Sequence, residues 1–349
     1  MLRKTSLWPV LLLAVICSSL HADTHRWLGA ADPVKQTTTI TIAGSWATNE
    51  DWTGTINNKT IVVDIGTYSS DADVAEKIAA AIDASSATSG LIGNETRNRG
   101  GEEIAEWEEV DATFSSNVVT VTSATAGVPF SLSSATSASG TAVASTTVNA
   151  TGPNHFDNDA NWVNDAGANS APDDGDTILF DSGSVDCLYN LDYSATMTDA
   201  SLVVTTDYTG DIGLLRVNAN GYAEYRSPRF LVLEQDGASP GSPTHKINSK
   251  GANIATGRRY IDCGSNAPST SITVNVYDGP SATNDGASVQ IVGGDEVYVN
   301  VTKGSVDVGT HPLENATSLE AVRMGYDGTQ ATDAVVRVGI SKQVEVSLE

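Results

Sequence analysis

From Ile272 to the end of the chain, apolar residues occupy every second position in one short run after another. Ile272, Val274 and Val276 form one run, Val297, Val299 and Val301 another, Val336, Val338 and Ile340 a third, and Val344, Val346 and Leu348 a fourth. A period of two puts β-branched side chains on one face of an extended strand, and the Gly, Asn, Asp and Pro between runs mark turns. Shorter strands are predicted upstream at Thr177–Phe180, Ala200–Thr205, Phe230–Glu234 and Arg259–Asp262. Many short strands with irregular connections fit a parallel β-helix over residues 177–349, in which each coil buries its inner face only when the next stacks on it. A β-sandwich is the alternative, because its hairpins favour Asp-Gly turns, and Asp236-Gly237, Asp278-Gly279 and Asp327-Gly328 are present.

The pattern before residue 150 is different. Strands are predicted at Thr37–Ala43 and Thr60–Gly66, with Asn57 and Asn58 as the turn residues before the second. Val74, Ile78 and Ile82 then recur at helical spacing while Asp73, Glu76, Lys77 and Asp83 face away, so Ser70–Ala84 reads as an amphipathic helix capped by Ser70. Strands resume at Val110–Phe114, Val118–Thr122, Phe130–Ser133 and Thr141–Val148. Residues 23–150 thus read as a β-β-α-β-β-β module with a helix covering one sheet. Residues 151–176 are rich in Asn and Asp and read as a linker or cap. The fold class expected is mainly β: a small α+β two-layer module followed by a parallel β-helix.

Composition adds export to this picture. Residues 1–22 carry Arg3 and Lys4, then the apolar stretch Leu7–Ile16, then small residues ending at Ala22, the layout of a secretory signal peptide. No later stretch is apolar enough to span a bilayer, so the expectation is a secreted or cell-surface chain that starts near Asp23 and has no transmembrane segment. Cys17 raises lipidation, but Ile16 stands where processing wants a small residue. The formal charge of −24, or −26 once Arg3 and Lys4 leave, excludes nucleic acid as a partner, because each phosphate contact needs a Lys or Arg. Two cysteines remain, Cys187 and Cys263. On a solenoid they would lie about three coils apart, beyond ~12 Å against a disulfide limit near ~7 Å, so two unpaired thiols are expected.

Motifs for chemistry are sparse. There is no G-x-S-x-G, H-E-x-x-H, Walker loop or C-x-x-C, and His155, His245 and His311 lie far apart. Asp157, Asp159 and Asn161 have the spacing that opens a calcium loop, since a hard cation takes alternating oxygen ligands from a turning backbone. Trp162 and Ala168 stand where an EF-hand needs Gly and Glu, so any calcium site here is of another kind, with Asp173, Asp174 and Asp176 as further ligands. Calcium is the one cofactor considered. The acidic run Glu102, Glu103, Glu106, Glu108 and Glu109 around Trp107 reads as a solvated face. Trp27, Trp46, Trp52 and Trp162 would stack on sugar rings if exposed.

Three segments carry a resemblance. "THRWLGAADPVKQTTTITIAG", "DADVAEKIAAAI" and "VVTVTSATAGVPFSLS" resemble a module of uncharacterised phage-type and planctomycete-like structural or surface proteins. The next, "NHFDNDANWVNDAGANSAPDDGDTILF", is similar to the entry that precedes β-solenoids in autotransporter-passenger-like proteins. The resemblance implies a non-enzymatic exported surface or virion-type structural protein, acting in assembly or adhesion, with other copies of itself, other surface or virion proteins, or carbohydrate as partners. The alternative is a polysaccharide lyase or glycosidase, or a carbohydrate-binding module, on the same scaffold, with Arg258 and Arg259 as the basic candidates on the ladder.

Overall fold

The computed structural model describes residues 22–233 apart from positions 48, 67–69, 87–94, 97–103, 138, 194–198, 206 and 216, and beyond 233 the backbone of nine strands with few side chains. The expected leader up to residue 21, Glu102, Glu103, Arg258 and His311 lie outside the described residues, as do the three expected Asp-Gly turns in whole or in part. The described chain is mainly β with one α-helix.

The first strand, β1 (Thr24–Trp27), belongs to a sheet formed much later in the chain and is taken up below. Residues 37–148 build a unit of two antiparallel four-stranded sheets and the helix. In chain order these are β2 (Thr37–Ala43), β3 (Asp51–Ile56), β4 (Lys59–Asp64), α1 (Asp71–Ser86), β5 (Glu95–Thr96), β6 (Val110–Ser115), β7 (Val118–Ser123), β8 (Leu132–Thr136) and β9 (Thr141–Val148). One sheet has the order β6-β7-β2-β9 and the other β5-β4-β3-β8. Two sheets replace the single sheet expected, because Asp51–Ile56, not among the strands expected, pairs with both β4 and β8.

The reason lies in Trp52 and Gly54. The Trp52 ring folds back over Gly54, where a Cβ would stand 2.2 Å from the indole, so this strand needs a residue without a side chain at its centre. Trp52 is thereby fully buried, and its indole nitrogen donates to Ser134 Oγ at 2.8 Å. Asn57 and Asn58 both take positive φ, 52° and 63°, and close the β3–β4 hairpin as a two-residue turn. The helix starts as its pattern implies: Ser70 Oγ accepts from the Asp73 backbone N–H at 3.3 Å, and Val74, Ile78 and Ile82 are buried. They meet Ile40, Ile42, Val119 and Val121 of β2 and β7 in one core, which Trp107 and Ile61 share.

After this unit the pairing changes character. A short β10 (Trp162–Val163) pairs antiparallel with β1, and β11 (Thr177–Phe180) pairs parallel with its other edge, so β1 is enclosed by residues 135 to 153 positions later. Edge-to-face rings seal this insertion: Trp27 and Trp162 have centroids 4.9 Å apart, and Phe156, Phe180 and Tyr208 continue the stack. From β12 (Ser201–Val204) onward all named pairs are parallel. The remaining strands are β13 (Leu231–Leu233), β14 (Thr244–Asn248), β15 (Arg259–Ser265), β16 (Ser271–Asp278), β17 (Ala287–Gly293), β18 (Glu296–Val301), β19 (Gly304–Val308), β20 (Leu319–Met324), β21 (Ala334–Val338) and β22 (Val344–Leu348). From β12 on, each is joined to the strand two further along, giving one sheet β10-β1-β11-β12-β14-β16-β18-β20-β22 and a second β13-β15-β17-β19-β21. No helix among the described residues is long and apolar enough to cross a membrane.

Candidate functional site

Titratable groups concentrate where the two-sheet unit meets the parallel strands. The short 3-10 turn Ala105–Glu109 leads into β6 and is pinned by Trp107, whose indole nitrogen donates to the Lys59 carbonyl at 3.1 Å. With Trp107 buried in the core, the glutamates on either side point to opposite ends of the turn. Glu106 is buried and pairs with Lys59 at 3.4 Å. Glu109 points across to residues 218–226. The solvated face expected of this acidic run is thus corrected for both: the turn drives Glu106 and Glu109 inward, because Trp107 must be buried.

Glu109 is the acceptor at the centre of the junction. Tyr222 and Tyr225 donate their hydroxyls to it, Tyr225 at 2.5 Å, and Arg226 Nη2 donates at 2.7 Å. Asn220 and Asn57 add amide donors at 3.2 and 3.3 Å. Arg226 is equally saturated: Nη1 meets both oxygens of Glu224 at 3.0 Å, and Nε donates to the Pro129 carbonyl at 2.9 Å. Its guanidinium lies 4.5 Å from the Tyr225 ring centroid and 5.5 Å from that of Tyr189. The side chains are 12 % exposed for Arg226, 13 % for Glu109 and 2 % for Glu224, so the network is nearly dry.

Burial sets the protonation behaviour. It pushes the Tyr222 and Tyr225 hydroxyls well above the usual phenol range, with the Glu109 carboxylate adding to the effect, so both stay donors. Burial opposes the charge on Arg226, yet Tyr225, Glu109, Tyr189 and Glu224 around it hold its pKa above the ordinary value. The Tyr189 hydroxyl is raised, chiefly by burial. Beside this network opens a cleft of about 490 Å³, lined in part by Glu108, Glu109, Tyr189, Asn218, Glu224 and Arg226. Chemically these groups hold one another: each carboxylate in the network has a cation or phenol bound to it.

A second cleft, of about 600 Å³, is lined by two of the predicted calcium ligands. Asp157 and Asp159 line it together with His155, Asn158 and Asn190. Asp157 accepts from the Asn190 amide at 2.9 Å on both oxygens, and that amide also reaches His155 Nδ1 at 3.3 Å. His155 Nε2 donates to the Gly127 carbonyl at 2.9 Å, and burial lowers its pKa against the opposing pull of that bond and of Asp157. Asp159 Oδ1 accepts from the Ala171 N–H at 2.9 Å. Asn161 is fully buried: its amide donates to the Gly152 and His155 carbonyls at 2.8 and 2.7 Å, and Oδ1 accepts from the Ala31 N–H at 2.8 Å. Each of the three residues thus holds its own backbone or side-chain partners, and they share none. Among the described residues no group of three or more His, Cys, Asp or Glu is placed to share a metal ion.

Other sequence candidates resolve plainly. Trp27, Trp46, Trp52 and Trp162 are all buried, so the condition for sugar stacking is not met and each ring is core. Cys187 is a buried free thiol, its pKa raised well above the ordinary value by burial and then by Asp186 and Asp157. Only the backbone of Cys263 is described. Of Arg259, likewise, only its place at the start of β15 is described. Arg226, Tyr222 and Tyr225 were missed by sequence reasoning, since the stretch Tyr222–Arg226 carries no recognised motif and its partner Glu109 is over 110 positions away.

Comparison with known proteins returns no match: no family model, curated protein or solved structure aligns significantly with the chain. Nothing in these comparisons identifies it as phage-type or planctomycete-like.

Proposed function

We propose that this chain is an exported, non-enzymatic surface or virion-type structural protein, whose residues from 177 onward wind as a parallel β-solenoid and present an extended face for assembly or adhesion. The observation that carries this reading is the pairing order, in which every strand from β12 on is hydrogen-bonded in parallel to the strand two further along. That order suits a coil that adds one strand to each of two sheets per turn. The junction supports the non-enzymatic half: Glu109, Glu224 and Arg226 are saturated by one another and by tyrosines, which leaves them few free lone pairs or protons for a substrate. Such a network braces the base of a rod against the unit that precedes it.

Nine strands at the usual ~4.8 Å spacing would make a sheet about 38 Å long. The secreted protein is expected to associate into filaments or particles visible by negative-stain electron microscopy, or to bind cells, and to leave a panel of acidic polysaccharides uncleaved. Turnover of such a polysaccharide, abolished by Glu109→Gln, would transfer the assignment to a carbohydrate-active enzyme using the junction cleft.

A further inference from the structure

The first described residues hold an arrangement that the fold alone does not require. Asp176 is 6 % exposed, yet among the described residues it forms no ion pair with a lysine or arginine. Its carboxylate receives His25 Nε2 at 3.0 Å and the Asp173 N–H at 2.8 Å. The remaining bond comes from the backbone nitrogen of Asp23, 2.9 Å from Asp176 Oδ1. Asp23 is fixed there from its other side too, since its carbonyl accepts from the Thr177 N–H at 2.8 Å. Next along, the Thr24 N–H donates to Asp165 Oδ2 at 3.0 Å. Ala22, immediately before, is exposed. The surroundings are strongly acidic, with Asp23, Asp165, Asp173 and Asp174 near Asp176 in the fold or the sequence and His25 as the one basic side chain bound to it.

We propose that the Ala22–Asp23 peptide bond is a processing site whose product, the α-ammonium of Asp23, joins the His25 imidazole on the Asp176 carboxylate as its counter-ion and locks β1 into the long sheet. The inference rests on the export reading above, which supplies the leader. Hydrolysis by a leader peptidase consumes one water. The C–N bond breaks, a C–O bond forms at the Ala22 carbonyl carbon, Ala22 departs as a carboxylate, and the nitrogen keeps its electron pair and becomes the ammonium. An α-amino group has an ordinary pKa of about 7.7–8.0, so it carries charge at neutral pH. The nitrogen already lies within bonding distance of Asp176, so cleavage changes its charge and leaves its position alone. An ammonium–carboxylate ion pair then replaces an amide–carboxylate bond at the residue just before β1, and the exposed side on which Ala22 lies leaves room for the extra protons to meet water.

The test compares the chain beginning at Asp23 with the same chain retaining Ala22, each in the native sequence and in Asp176→Asn. Retention of Ala22 is expected to lower Tm by about 2 °C in the native background and to have no effect in Asp176→Asn. Acetylation of the Asp23 amine is expected to reproduce the loss, which tests the same pairing in native protein should Asp176→Asn fail to fold. Equal Tm for the native pair, or the same drop in both backgrounds, overturns the docking. N-terminal sequencing of the exported chain tests the leader separately: a start at Asp23 supports the processing site, and a start elsewhere overturns it whatever the Tm values are.

Discussion

Replacing Arg226 by methionine tests the junction most directly, because it keeps much of the side chain's length and removes only the charge and its donors. The guanidinium makes four hydrogen bonds to Glu224, Glu109 and the Pro129 carbonyl, at 2.7 to 3.0 Å. Removing one partner of a buried ion pair costs about 3–5 kcal/mol, because the other charge is left without compensation. Two carboxylates lose their cation here, but each retains other donors: Glu109 keeps both tyrosine hydroxyls, and Glu224 keeps the Arg226 backbone N–H at 2.9 Å. The expected loss is therefore at the lower end, about 3 kcal/mol. Glu109→Gln should cost about 1–2 kcal/mol, and the double variant should fall short of the sum by at least ~1 kcal/mol, since both changes break the same bond. Urea titration followed by tryptophan fluorescence reads these values as shifts in midpoint at constant slope. An Arg226→Met protein within about 0.5 kcal/mol of native, or a strictly additive double variant, would refute the bracing role.

Further outcomes follow from other sites. Burial holds the His245 imidazole down to about 4 from its ordinary 6.5, so the fold favours the neutral ring; this contributes stability above pH 6.5 that is lost as pH falls toward 4, about 3 kcal/mol in all, and His245→Leu should remove that component from the pH dependence of the urea midpoint. A flat difference between the two proteins from pH 7 to 4 would contradict it. Gly54→Ala should cost about 1–3 kcal/mol by displacing the buried Trp52 ring, visible as a lower Tm and an altered near-ultraviolet dichroism band. Asn161→Ala leaves the Ala31 N–H and the His155 carbonyl without partners, takes one of two donors from the Gly152 carbonyl, and should destabilise by at least ~2 kcal/mol, whereas a change within about 0.5 kcal/mol would mean water replaces the amide.

How far the sequence revealed this architecture depends on whether local pattern or distant contact decides an element. The helix over Asp71–Ser86 and strands such as Thr37–Ala43 are legible because their own periodicity says which face is buried. The strand Asp51–Ile56 is not, because its central glycine serves an indole two residues away and its remaining threonines look like a loop. Thr24–Trp27 is hidden for another reason: four residues carry no period, and only pairing with Thr177–Phe180 makes them a strand. The calcium-like spacing singled out Asn161 and Asp176, but not their role as joints, which only distant partners reveal: Asn161 binds Ala31, Gly152 and His155, Trp162 packs on Trp27, and Asp176 receives His25. The junction was illegible because a glutamate in an acidic run gives no sign of an arginine 117 positions later.

The enclosure of β1 between β10 and β11 also dictates the order in which the molecule is completed. Synthesis from the N-terminus delivers Thr24–Trp27 early, but the two strands that flank it come 135 or more positions later. Contacts of such separation form slowly, because a long loop must close before they are rewarded. The intervening two-sheet unit, whose pairs all lie within residues 37–148, can assemble meanwhile and hold the early segment close to where it will be needed. The opening strand is thus a latch, made first and shut late.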